Sequence, residues 1–192
     1  MTFALITAKI RWIKKRGGDS VKKTKMLTFC ALITAILCVI CPLSVSFGTI
    51  PITFSLFAIM LCSRIFGSKI ALISTLCYLI LGLCGLPVFS NFTAGIGILF
   101  SLTGGFVFSY PLVALVSGVK TKRPFLMCLL SVAICYVFGV AYYMYIADIT
   151  LLTALKTIVI LFAPIDVLKA FLATVFGKEI RNRLIKTKLL DY

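Results

Sequence analysis

Two ionisable residues stand inside an otherwise apolar run. Asp166 and Lys169 lie three residues apart in F-A-P-I-D-V-L-K-A-F-L-A, spanning 162–173. On a helix this spacing puts both on one face. In a membrane centre each charge costs about 2.5–3.5 kcal/mol on insertion scales. Such a pair must face a protein interior, as part of a ligand site or as a mutual ion pair that only orders the bundle. Pro164, just ahead of them, is expected to interrupt its helix, and interrupted helices line sites with freed backbone groups.

A second candidate is the uncharged stretch G-L-P-V-F-S-N-F-T-A-G-I-G-I-L-F-S-L-T-G-G-F, residues 85–106. Asn91 can donate and accept hydrogen bonds. Phe89 and Phe92 can wall an apolar ring system. Gly95, Gly97, Gly104 and Gly105 suit close backbone approach. A lid and an ordinary re-entrant connection are both compatible with this pattern. A third candidate is the pair Ala31 and Ala35, which permits close helix approach, either within the bundle or against another membrane subunit.

Absent residues narrow the chemistry. There is no histidine, which removes the commonest general base and metal ligand. There is no G-x-x-x-x-G-K-[ST] phosphate loop, so the chain is not expected to hydrolyse ATP. Of the five acids, only Asp166 lies within an apolar span, which argues against a paired-carboxylate enzyme. Cys38 and Cys41 form a lone C-x-x-C with no second pair, and the eight cysteines read as small apolar packing residues rather than a zinc site. No metal or cofactor is expected on this chain.

Composition sets the frame that must position these groups. Of 192 residues, 61% are hydrophobic and 13% charged, against nearer half and a quarter in soluble domains. The chain is therefore read as one all-α membrane unit. A span needs about 20 apolar residues, and six candidates occur: Leu27 to Phe47, a second from after Pro51 to near Arg64, Ile70 to Cys84, a fourth within Ile96 to Val119, Phe125 to Ile146, and Leu151 to Phe176, interrupted at Pro164. The net charge is +15, but the basic residues sit in short clusters between apolar runs, without the interleaved aromatics of a nucleic-acid surface. Eight precede the first span, two flank the turn at 64–69, three fill 120–123, and five end the chain. Thus 18 of 20 fall on one side, which predicts both termini in the cytoplasm. Residues 1–25 read as a basic cytoplasmic extension able to touch anionic lipid and not as a signal peptide, because their apolar stretch is already broken by Lys9. Residues 26–192 form the six-helix domain. Met1 and Met26 are both compatible with the start of the chain.

These features together resemble the BioY family, the biotin-binding S components of energy-coupling-factor (ECF) transporters. The resemblance covers roughly Met26 to Ile185. It is carried by G-L-P-V-F followed by a glycine-containing run, by Thr103-Gly104-Gly105 opening the fourth helix, and by P-x-D-x-x-K at Pro164 to Lys169. The chain departs from the family pattern at Ser101-Leu102, where G-P is usual, and at Asn91 to Thr93, where glycines are usual.

The resemblance implies an S-component bundle in the cell membrane that captures biotin. It also implies partners: a transmembrane coupling subunit and two cytoplasmic ATPases, which would use the ATP. Phe89, Phe92 and Tyr143 would then pack the rings. Asn91 and Asp166 would satisfy the ureido group. Thr103 and Gly104 would contribute to the pocket, and the coupling subunit would dock on Ala31 and Ala35. Lys169 would pair with the ligand carboxylate or neutralise Asp166. The rival reading is a self-sufficient, proton-coupled secondary transporter of a small carboxylate or vitamin, with Asp166 as proton carrier. A membrane-embedded enzyme lacks the residues to recommend it.

Overall fold

The computed structural model describes residues 23–46 and 51–187, and these are mostly helical. The expected extension at 1–22 lies outside them. Helix α1 spans Lys23–Ile40. It stops two residues short of Pro42, as expected of a residue without an N–H. The chain then forms a small antiparallel hairpin, β1 (Ser44–Ser46) with β2 (Pro51–Thr53), in which Ser44 pairs with Thr53 and Val45 with Ile52. The first apolar run therefore does not remain helical to Phe47. Prolines 42 and 51 bracket a segment that turns back on itself.

Helix α2 covers Ser55–Phe66 and α3 covers Ser68–Leu83. A single residue, Gly67, joins them at φ +88° and ψ 167°, a conformation that a side chain makes costly. Two short 3₁₀ turns, Ser90–Phe92 and Ile96–Phe100, lead to α4 at Gly104–Ser117. Helix α5 runs Pro124–Ala147, with proline at its first position, where the missing N–H costs nothing. The last unit comprises α6 (Leu151–Ala154), a π-helical segment (Leu155–Ile160) and α7 (Leu161–Lys186). Pro164 lies inside a helix that runs on from the π segment, and without an N–H it cannot bond to the carbonyl of residue 160. The irregularity expected at Pro164 is therefore found in the turn just before it, at Leu155–Ile160.

Helix α4 packs along α5 and α2 along α7, with α3 against α4. One large apolar core lies between α1, α2, α3, α4, α5 and α7, and a smaller one gathers Val140, Tyr143, Ala154, Ile158 and Phe162. Buried hydroxyls turn back onto their own helices: Thr34 donates to the Cys30 carbonyl, Ser63 to Ile59, Ser74 to Ile70 and Ser117 to Val113. This satisfies polar groups that have no water to bond. Outward faces are apolar too, with Leu27, Val39, Ile80, Val137, Leu152, Leu168 and Phe171 all exposed. By length and composition α1 and α5 suffice to cross a membrane, whereas α2, α3 and α4 are apolar but shorter.

Candidate functional site

The hairpin, the 84–103 connection and the π segment converge at one end of the bundle, around a partly open and mainly apolar cavity with a few polar groups. That is the usual character of a small-molecule site. The hairpin supplies Ile52 and Thr53, α2 Leu56, α3 Tyr78, and the connection Phe89, Ser90, Ile98 and Thr103. Helix α4 supplies Phe106, Val107 and Tyr110, and α5 supplies Cys135 and Tyr136. Ile158 and Phe162 come from the last unit, followed by Asp166 and Lys169 one turn apart on α7.

The charged pair is buried and tightly organised. Lys169 Nζ donates to Asp166 Oδ1 at 2.8 Å and to the Thr53 carbonyl at 2.9 Å. The Tyr136 hydroxyl donates to Asp166 Oδ2 at 2.5 Å. Each carboxylate oxygen thus has one partner and a lone pair to spare, and the ammonium keeps one N–H of its three. Two opposite charges in contact leave the site neutral overall, which makes their burial tolerable.

The aromatic wall is equally determined. The rings of Phe89 and Tyr78 meet edge to face, with centroids 5.7 Å apart, a favourable aromatic geometry. The Tyr78 hydroxyl donates to the Val88 carbonyl at 3.0 Å and so pins the connection over the cavity. A Cβ on Gly82 would overlap the Phe89 ring, so only glycine there lets Phe89 fold back onto α3.

Of the residues expected from sequence, Asp166, Lys169, Phe89 and Thr103 line the cavity, and four others do not. Asn91 is exposed and turned toward the hairpin, where its Oδ1 accepts from Ser44 Oγ at 2.7 Å and its backbone N–H donates to the same oxygen at 3.0 Å. Phe92 is 64% exposed. Both residues have φ near +56°, and this left-handed step turns their side chains off the cavity. Tyr143 belongs to the smaller core. It lies seven residues beyond Tyr136 on α5, about 10.5 Å farther along the axis at 1.5 Å per residue. Gly104 begins α4 in close contact with the Leu99 carbonyl, which accepts from the Tyr142 hydroxyl at 2.5 Å, so it serves a tight crossing and not the lining. Ala31 and Ala35 lie on the exposed face of α1.

Sequence reasoning missed Tyr78, Tyr110, Tyr136, Phe106 and Phe162. A usable signal existed for the tyrosines. Tyr78, Tyr110 and Tyr136 fall within apolar runs rather than at their ends, although tyrosine prefers the membrane–water boundary. Among the described residues no group of histidine, cysteine, aspartate or glutamate is arranged to hold a metal.

This geometry has close counterparts. The BioY family model matches residues 13–186. The probable biotin transporter BioY of Pyrococcus horikoshii is 33% identical over 118 residues, 61% of this chain and 73% of that protein. The biotin transporter BioY2 of Lactococcus lactis subsp. cremoris is 30% identical over 176 residues, 86% of this chain and 94% of that protein. A crystal structure of the S component for biotin from an ECF-type ABC transporter superposes with a TM-score of 0.76 at 25% identity, covering 84% of this chain and 93% of that one. A match over nearly the whole chain, in sequence and in fold, means that the chain belongs to the BioY family.

Proposed function

We propose that this chain captures biotin as the substrate-binding membrane subunit of an ATP-driven ECF transporter. The observation that carries the reading is the Asp166–Lys169 pair, closed by Tyr136, inside a largely apolar cavity. Biotin has an apolar bicycle, a ureido group with two N–H donors and a carbonyl, and a carboxylate tail. Tyr78, Phe89 and Phe106 provide flat apolar surface for the bicycle. The free lone pairs of Asp166 accept a ureido N–H, and the remaining N–H of Lys169 donates to a ligand oxygen. A buried ligand group left unpaired costs about 1–3 kcal/mol, so these few polar atoms set orientation and selectivity.

The chain is read as a single multi-pass unit in the cell membrane: α1 to α5 as five spans and the α6–α7 unit as the sixth, with both termini cytoplasmic and residues 1–25 as a cytoplasmic extension. The exposed apolar side chains support this, because water would not tolerate them across so much of the surface. Charge supports it as well. Lysines and arginines flank the α2–α3 and α4–α5 turns and the end of α7, whereas the cavity-end connections at 84–103 and 148–150 carry none. The short α2, α3 and α4 require the hairpin and the 84–103 connection to complete the crossing, which lipid permits where irregular backbone is covered by protein. Reporter fusions at Lys122 and Phe92 should report opposite faces, and the same face for both would break this topology.

Energy then comes from a coupling subunit and two cytoplasmic ATPases that bind and hydrolyse ATP. The exposed Ala31 and Ala35 leave a shallow strip on α1 where a partner helix can approach, since association in lipid depends on close contact. Tryptophan at either position should abolish uptake in cells that contain the other subunits and leave biotin binding intact. Labelled biotin should bind the purified chain saturably, and a folded chain that binds none would overturn the reading. The proton-carrier alternative gains no observation, because both Asp166 oxygens already have donors. Purified chain in vesicles is expected not to accumulate substrate under a proton gradient alone.

A further inference from the structure

We infer that Tyr136 is a ligand-positioning residue that acts through Asp166 and thereby sets which functional groups the site accepts. The inference rests on the biotin reading above. A lone aspartate carboxylate rotates broadly about its terminal torsion. Here its two oxygens are held from two different helices, Oδ1 by Lys169 on α7 at 2.8 Å and Oδ2 by Tyr136 on α5 at 2.5 Å. Two anchors fix the carboxylate plane. The phenol is a neutral donor, so it orients the group without cancelling its charge. Compensation is left to Lys169.

What remains open toward the cavity is an acceptor-only edge at a set angle. Such an edge suits a ligand N–H and repels a ligand carbonyl or ether oxygen, which would place acceptor against acceptor. Tyr136 is half-buried and lines the same cavity, but its hydroxyl proton is already committed to Asp166. Selectivity for a donor-bearing ligand therefore depends on a tyrosine that need not touch that ligand through its hydroxyl.

A double-mutant cycle on biotin binding separates this role from packing. Tyr136→Phe keeps the ring and removes the anchor, and is expected to weaken binding about tenfold, or about 1.4 kcal/mol. In an Asp166→Ala background the same change is expected to alter binding less than about twofold, because nothing is left to position. Equal binding by Tyr136→Phe and the unsubstituted chain would overturn the inference. So would an undiminished tenfold loss in the Asp166→Ala background, which would mean that Tyr136 meets the ligand directly. If Tyr136→Phe does not fold, a ring-fluorinated tyrosine at this position, a stronger donor of the same shape, should change affinity only when Asp166 is present. No change in either background would count against the inference. Failure of the unsubstituted chain to bind biotin would remove the functional reading itself, and this inference with it.

Discussion

The two ends of the bundle are built by opposite rules. At the basic end, the α2–α3 connection is one residue long and the α4–α5 turn six, and arginines close the helix ends. Arg64 Nη1 donates to the carbonyls of Ser117 and Val119, at 3.1 and 3.0 Å, and Arg181 Nη1 donates to the Ile65 carbonyl at 3.3 Å. The Ser117 and Ile65 carbonyls are among those a helix leaves without internal partners, the Val119 carbonyl lies in the turn just beyond, and a cation there also favours the helix dipole. At the cavity end the chain uses a hairpin, 3₁₀ turns, a π segment and three non-glycine residues at positive φ, with no charged side chain bonded to a helix terminus among the described contacts. One end spends its charges on closing backbone; the other keeps its charges for a cavity and makes its roof from irregular backbone. The shortness of α2 to α4 goes with this, since irregular backbone takes the place of further helical turns at the cavity end.

The largest effects should come from splitting the cavity pair. Removing one partner of a buried ion pair leaves an uncompensated charge at a cost of about 3–5 kcal/mol. Lys169→Ala and Asp166→Asn should each weaken biotin binding at least tenfold, about 1.4 kcal/mol, as read by equilibrium binding of labelled biotin. Lys169→Ala should also melt earlier, because Asp166 Oδ1 and the Thr53 carbonyl both lose their donor. If both bound as the unsubstituted chain does, the pair would be structural only and the contrast between the ends would collapse.

At the basic end, Arg64→Ala should cost stability and spare the site. Hydrogen bonds to charged groups are worth about 1.5–3 kcal/mol, so the melting temperature in detergent should fall while biotin affinity holds. A parallel loss of affinity would mean that the two ends are coupled. Gly67→Ala should behave alike for a different reason. The space around Gly67 is open, so only the backbone conformation penalises a Cβ, by about 1–3 kcal/mol. The smallest effect is expected for Asn91→Ala, which removes an exposed bond to Ser44 worth about 0.5–1.5 kcal/mol. A loss of affinity as large as that from Asp166→Asn would put Asn91 at the ligand.

What could be read from sequence follows the same division. Helices announced themselves wherever apolar runs were long, as for α5, whose expected bounds were one residue short at each end. The hairpin was hidden because its strands are only three residues each and Ser44 to Ser46 runs on from the first apolar run, so that only Pro42 and Pro51 mark its corners. The π segment has no composition of its own, and only Pro164, four residues beyond its end, marks the disturbance in the sequence. Within the site, Asp166 and Lys169 were legible because charge in lipid is costly enough to demand a reason. Tyr136 was not, since an aromatic residue in an apolar helix needs none, and the tyrosine expected from sequence, Tyr143, lies two helical turns farther along the same helix. Asn91 and Phe92 lie off the cavity lining because side-chain direction in a loop depends on φ, and two consecutive left-handed residues cannot be foreseen from residue type when one of them is phenylalanine.

The free cysteines give the molecule a built-in set of chemical reporters. Of the eight, only Cys77 and Cys84 are exposed. Cys77 faces outward partway along α3, whereas Cys84 caps the helix at the cavity end. In the proposed topology Cys77 faces hydrocarbon, where a water-borne maleimide does not go, and Cys84 faces the medium. An impermeant thiol reagent added to intact cells should therefore mark the unsubstituted protein at Cys84 and leave the other seven untouched. Modification at that position, next to the connection that carries Phe89, would allow ligand-dependent protection of a native residue to be followed without engineering the chain.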